Sequence, residues 1–437
     1  MDQYDLVIKN IKTLSADVNI FVKHGKITKI SSHLPNYNAK KTIEGSGLVA
    51  LSGIIDSQVH FREPGLTHKE DLESGTKGAI LGGVTSVFEM PNTIPATTTQ
   101  IAFDDKMKRA KGRAWCNYAF YFGGSPDNVS ELPYLEKSPS CPGVKVFMGS
   151  STGTLLVEDD ATLEKILQNT KKRIIVHCED EYRLRERKHI AIDSKDVRNH
   201  HVWRDAQTAF MATQRLLKIA KKYNHPVHVL HVTTAEEMEL LKGYKDIATV
   251  EVLPQHLTLF APDCYERLKA FAQQNPPIRE KKHQDALWKA IHAGVVDVIG
   301  SDHAPHTIEE KSQEYPLTPS GMPGVQTMLP IMLHHHSQGR ITLEKIQQMM
   351  SFNPAKIFNL KNKGQLAEGF DADITIVDLK KTFEIKNSDM ATKSGWTPYN
   401  GMKITGRPII TIIGGNIVMR EGEVLGTPMG SPCQFQM

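Results

Sequence analysis

Residues 54 to 65, IIDSQVHFREPG, run from an apolar stretch into side chains able to hold metals and anions. Asp56, His60 and Arg62 fall at alternate positions, so an extended segment would turn all three toward one face. An imidazole suits a divalent ion, and a guanidinium suits a carboxylate. Similar residues recur where other apolar runs end. VTSVFEMPN brings Asn92, VKVFMGS brings Lys145 and RIIVHCED brings His177; PVHVLHVTT brings His231, and VVDVIGSDHAPH brings Asp302 and His306. A lone histidine at a strand end is usually a structural hydrogen bonder. Ligand types at the ends of many different strands point instead to one shared site, and imidazoles with a carboxylate suit zinc. Lys145 has two readings. An interior lysine snorkels or pairs with an acid, whereas beside a metal a depressed pKa would let its amine take up CO₂ as an anionic, bridging carbamate.

These side chains need a scaffold that brings strand ends together. The strand candidates are LVALSGIIDSQVHF, VTSVFEMPN, WCNYAFYFGG, VKVFMGS, RIIVHCED, PVHVLHVTT, ATVEVLPQHL and VVDVIGSDHAPH. Helical windows such as ATLEKILQNTKK, DAQTAFMATQRLLKIAKKY and QDALWKAIHAG lie among them. Eight apolar strands with intervening helices predict an α/β fold, a (β/α)₈ TIM barrel whose C-terminal rim collects the ligands. An open doubly wound sheet is the rival, but no GxGxxG turn or P-loop follows any strand. The two chain ends read as short strands and turns. They predict a small β-sandwich-like satellite domain formed by residues 1–50 and 363–437, around a barrel of residues 51–362.

Composition narrows the function. The 437 residues are 40% hydrophobic and 23% charged, which is ordinary globular usage. A net charge of +4 is small and scattered, so nucleic acid is not implied. Five cysteines at no regular spacing argue for a reducing compartment. The start lacks a basic and apolar leader pattern, and no apolar run is long enough to span a bilayer. The expectation is a cytoplasmic protein without membrane or nucleic-acid partners. The triplet His334 to His336 reads as a polar helix end.

Taken in order, DSQVHFR, MPNT, GVKVFMGSSTG, IIVHCED, VLHVTT, NPPIR and GSDHAPH resemble the amidohydrolase superfamily and, within it, the dihydroorotase family. GFDADITIVD resembles the family's returning C-terminal β segment. The resemblance implies reversible, zinc-dependent cyclisation of N-carbamoyl-L-aspartate to L-dihydroorotate in pyrimidine synthesis. It implies a metal shell of His60, carbamylated Lys145, His177, His231 and Asp302, with Asp302 also the general acid/base. Arg62, Asn92 and His306 would hold the substrate carboxylate. Asn275 and the loop Ser320 to Gly324 would meet the ring, and His303 would be structural. Gln58 departs from the family's histidine-x-histidine pattern, and an amide oxygen is a poorer zinc ligand than imidazole. The site would then work with one tightly held zinc on Lys145, His177 and His231, or with a second held loosely through His60 and Asp302. A homodimer and an aspartate transcarbamoylase partner are compatible with the resemblance. Two alternatives stand beside it: a hydantoinase- or allantoinase-like hydrolase of cyclic amides, and a non-catalytic partner protein.

Overall fold

The computed structural model describes residues 3–149 and 155–436, so Ser150 to Gly153 of the GVKVFMGSSTG motif lie outside the described residues. Short alternating segments at the start form β1 (Gln3–Lys12), β2 (Asp17–Lys23), β3 (Lys26–Ser31), β4 (Asn38–Glu44) and β5 (Val49–Ser52). The apolar runs that follow form β6 (Ile54–Val59), β7 (Val84–Glu89), β8 (Asn117–Phe120), β9 (Phe122–Gly123), β10 (Val144–Phe147), β11 (Ile174–His177), β12 (Val227–Val229), β13 (Ala248–Val252) and β14 (Val298–Ile299). The end of the chain adds β15 (Ile374–Glu384), β16 (Lys403–Ile413), β17 (Asn416–Arg420) and β18 (Glu423–Val424).

Strands β6 to β14 are a parallel barrel. One ladder runs β6-β7-β8, the other β9-β10-β11-β12-β13-β14. β8 and β9 are two halves of one barrel strand, broken only at Tyr121. Gly124 N–H donates to Lys145 O at 2.8 Å, holding this strand to the next. A parallel bridge between Val59 and His303, with His60 N–H donating to His303 O at 2.8 Å, closes the circle. Ile54, Val87, Val144, Val146, Ile174, Val176 and Val229 pack outward in one apolar cluster with helix residues such as Leu216 and Leu217. Helix Ala206–Tyr223 starts where Asp205 accepts from Thr208 N–H and buries Ala209, Ala212, Leu216 and Ala220, a helical spacing that lays one stripe on the barrel. Ile55, Phe88, Tyr121 and Ile175 form a separate cluster with Phe358, Cys433 and Phe435. Its last members come from the chain's tail, which crosses the strands' N-terminal ends: Tyr118 N–H donates to Ser431 O, and Phe435 N–H to Pro139 O. That end is therefore filled with side chains, and the opposite end is left for chemistry.

Strands from both chain ends share one sheet, ordered β18-β17-β16-β15-β5-β1-β2-β3, with β4 on β1. Leu6, Ile8, Ile20 and Val22 meet Ile374, Ile376, Ile410 and Ile412 in one apolar cluster, so the sheet packs against itself as a satellite layer. Only Gly53 separates β5 of this sheet from β6 of the barrel. A Cβ there would lie 2.3 Å from Thr85 Oγ1 and 2.9 Å from Asp373 Cβ, so the close junction requires glycine. Among the described residues no helix is long and apolar enough to cross a membrane.

Candidate active site

The C-terminal ends of the strands bring the titratable residues together as pairs. His177 ends β11, and His231 follows β12 by two residues in a left-handed backbone conformation (φ 36°). Nδ1 of His177 lies 3.1 Å from Nε2 of His231. Two imidazoles bound to one tetrahedral zinc, each at 2.0–2.1 Å, would stand about 3.3 Å apart. Nε2 of His177 donates to Glu179 at 2.8 Å, which leaves Nδ1 with its lone pair facing inward. Glu179 is itself paired with Arg204 (Nε–Oε1 3.0 Å). Although burial raises its pKa, the charge of Arg204 and the hydrogen bond from His177 hold it well below the usual carboxylate range. Burial pushes both histidines down, His231 the further, so both are neutral and in the form a metal takes.

The second pair is His60 with Asp302, Nε2 to Oδ1 at 3.1 Å. Nδ1 of His60 lies 2.7 Å from Asn92 Oδ1. Gln58 donates from Nε2 to the same Asp302 oxygen at 3.0 Å. Burial raises the Asp302 pKa, but the hydrogen bond from His60 and the neighbouring His231 and Lys145 hold it well below the ordinary range.

Lys145 ends up close enough to act electrostatically on all four, His60, His177, His231 and Asp302. Lys145 is 1% exposed; its Nζ sits 4.4 Å from the centre of the Phe147 ring and makes no hydrogen bond or ion pair among the described residues. Burial pushes it down to about 7, so a large share is the neutral amine at physiological pH. Among the described residues no three histidine, cysteine or carboxylate side chains converge on one point. The residues fit a metal in another way, as two donor pairs with a buried amine nearby and with His231 Nδ1 and Gln58 Oε1 buried and unpartnered among the described residues.

A cationic patch flanks these pairs. Arg62 is 8% exposed and has no carboxylate partner among the described residues. Its Nε donates to Pro305 O at 3.3 Å, and its Nη2 lies 3.3 Å from His306 Nε2. Burial lowers it to about 10, so it stays charged at neutral pH. His306 donates from Nε2 to Ser320 O at 3.1 Å and accepts on Nδ1 from Lys69 at 3.1 Å. It is pushed well down by burial and by the charges of Arg62, Lys69 and Lys311. Glu310 answers Lys69 at 2.9 Å, and Arg62 is left over.

Several expected residues are placed differently from their expected contacts. Arg62 does not share the face of His60 through strand alternation, because β6 ends at Val59 and loses regular register beyond Asp56. A left-handed turn at Arg62 (φ 63°) directs it instead. Asp56 turns back on the backbone, accepting from Gln58 and Ser301 N–H, and stays out of the donor pairs. Asn92 Oδ1 faces His60, and its Nδ2 makes no hydrogen bond among the described residues. Asn275, half-buried, accepts from His200 Nε2 at 3.0 Å. Gly324 N–H donates to His303 Nδ1 at 3.1 Å, and Gly324 O accepts from Thr327 and Met328 N–H. His303 is thus a strut that ties the Ser320 to Gly324 loop to buried Glu70, 3.2 Å from its Nε2.

Two contributors escaped the sequence reading. Glu179 lies two residues past His177, a spacing that extended alternation could have flagged. Lys69 comes from a loop and had no local signal.

The amidohydrolase family model matches residues 49–418. The dihydroorotase of Methanosphaera stadtmanae is 33% identical over 429 residues, covering 96% of this chain and 97% of that protein. The dihydroorotase of Pyrococcus abyssi is 36% identical over 416 residues, covering 95% and 94%. Among solved structures, the L-hydantoinase (dihydropyrimidinase) of Arthrobacter aurescens superposes with a TM-score of 0.94 at 30% identity, covering 99% of this chain and 100% of that one. The chain belongs to the amidohydrolase family and, within it, to the dihydroorotases.

Proposed function

We infer that this enzyme interconverts N-carbamoyl-L-aspartate and L-dihydroorotate, opening or closing a cyclic amide. The buried guanidinium of Arg62, which makes no ion pair among the described residues, carries this reading. The charges of Asp302 and Glu89 act on it without touching it; a buried cation with no paired acid is costly, and a substrate carboxylate would supply the direct partner. Dihydroorotate has that carboxylate beside the ring, whereas hydantoins and dihydropyrimidines lack it. The high structural likeness to a hydantoinase supports the rival reading, in which Arg62 would stay unpaired through the catalytic cycle.

Zinc is the proposed metal, with Lys145 as its carbamate and His177 and His231 as the imidazole ligands. When bound, the ion would polarise the amide carbonyl and acidify water. The remaining roles belong to the chain. Arg62, with Lys69 and His306 behind it, fixes the substrate carboxylate. Asn92 orients the His60 ring. In ring opening Asp302 takes the proton of the attacking water and delivers it to the departing ring nitrogen; closure runs the transfer backwards.

Zinc-loaded protein is expected to open L-dihydroorotate and to close N-carbamoyl-L-aspartate. Folded, metal-loaded protein inert in both directions would overturn the enzyme reading in favour of a non-catalytic partner.

Metal retention supplies another prediction. Glu179→Gln keeps the size of the side chain that holds His177 but removes its charge. It should raise the zinc dissociation constant about 10- to 100-fold, read by competition with a chelator. Unchanged retention would remove Glu179 from the support of the metal.

A further inference from the structure

The surroundings of Asp302 carry a further step, which rests on reading this residue as the proton carrier. Its Oδ1 lies 3.0 Å from Nε2 of Gln58 and 3.1 Å from Nε2 of His60. A carboxylate oxygen offers two lone-pair directions; Gln58 Nε2 takes one, and His60 Nε2 crowds the same atom. Oδ2 makes no hydrogen bond among the described residues.

Gln58 is 1% exposed, and its Oε1 is buried without a partner among the described residues. The contact with Asp302 is the one hydrogen bond its side chain makes among the described residues, so that contact sets the direction of the amide. A cation placed between His60 and Asp302 would meet the positive N–H end of this amide. Turning the amide round would bring Oε1 against the Asp302 carboxylate and offer the cation only a neutral, weak oxygen. The other pair differs: Nδ1 of His177 and Nε2 of His231 face one another, and Lys145 stands nearby with no partner among the described residues.

We propose that Gln58 is a positioning residue that clamps Oδ1 of Asp302 where a second metal ion would otherwise sit. The chain then holds a single ion, on the Lys145, His177 and His231 side. The clamp leaves Oδ2 of Asp302 as the oxygen that carries the proton.

The test combines zinc counting by elemental analysis with steady-state kinetics on L-dihydroorotate, after dialysis of intact protein against excess zinc and then zinc-free buffer. Wild type should retain one zinc per chain. Gln58→Met, close in length but without donors, should also retain one. Gln58→His should retain two. In Gln58→Met, kcat should fall about 10- to 100-fold, as for a misaimed catalytic group, with KM within about threefold of wild type. Two zinc ions in wild type, or an unchanged kcat in Gln58→Met, would overturn the proposal. Zinc counts in wild type decide the matter even if Gln58→Met fails to fold. They also separate this proposal from the functional reading, which fails instead if one-zinc wild type does not turn over dihydroorotate.

Discussion

Asp302→Asn should lower turnover in both directions by about 10²- to 10⁴-fold, the range expected when a general acid/base is removed. Asparagine keeps the size of the side chain and can still accept from Gln58 or His60, but it cannot take up and release a proton. Zinc should remain bound, because His177 and His231 are untouched. The wild-type pH profile follows from the same group. Asp302 has a depressed pKa in the folded protein, so its ionised form dominates at neutral pH. Ring opening needs that form and gains nothing from Asp302 as pH rises through neutrality. Ring closure needs the protonated form, whose population falls about tenfold per unit above the pKa. Closing the ring of the carbamoyl-aspartate dianion to the dihydroorotate monoanion also consumes a proton, so equilibrium and rate shift in the same sense. Closure should therefore slow steeply with rising pH while opening stays nearly level. Near-normal turnover in Asp302→Asn, or one shared pH profile for both directions, would contradict this assignment.

Arg62→Met should cost about 2–4 kcal/mol in kcat/KM for L-dihydroorotate, roughly a 30- to 900-fold loss. Methionine keeps an apolar stem and removes the guanidinium. The remaining cations are less able to compensate, because Lys69 is already paired with Glu310, and His306 is held neutral by burial and neighbouring charges. Lys311 donates to three backbone carbonyls, those of Gln273, Pro319 and Gly321, and is committed to holding the loop. Cyclic amides without a carboxylate should lose little. Comparing the variant's kcat/KM on the two substrate types checks the assignment, and equal losses on both would remove Arg62 from carboxylate recognition.

Much of the site was legible because barrel geometry does most of the assembly. His177, His231 and Asp302 lie at or just after strand ends, and parallel strands in a closed barrel carry such positions to one rim. Lys145 was legible for the same reason, as an inward position of a strand whose neighbours, Val144 and Val146, pack outward. What the sequence could not convey were contacts made across long separations and through irregular backbone. Arg62 depends on a left-handed turn, and Lys69 meets His306, 237 positions away. Gly324 and Asn275 engage His303 and His200 in the structure, pairings with no local sequence signal. Gln58 could be recognised as a departure, but its donation to Asp302, 244 positions away, needed the fold. The two terminal β segments were readable individually. Their union in one satellite domain was also expected, but the pairing of β15 with β5 that makes it is a long-range register that alternation does not specify.

The most direct measurement compares kcat/KM of zinc-loaded wild type for L-dihydroorotate and for 5,6-dihydrouracil, the same ring without the carboxylate. Because Arg62 makes no ion pair among the described residues, L-dihydroorotate should be preferred by about 30-fold or more. Equal or better turnover of 5,6-dihydrouracil would contradict the assignment and identify the chain as a dihydropyrimidinase-like enzyme instead.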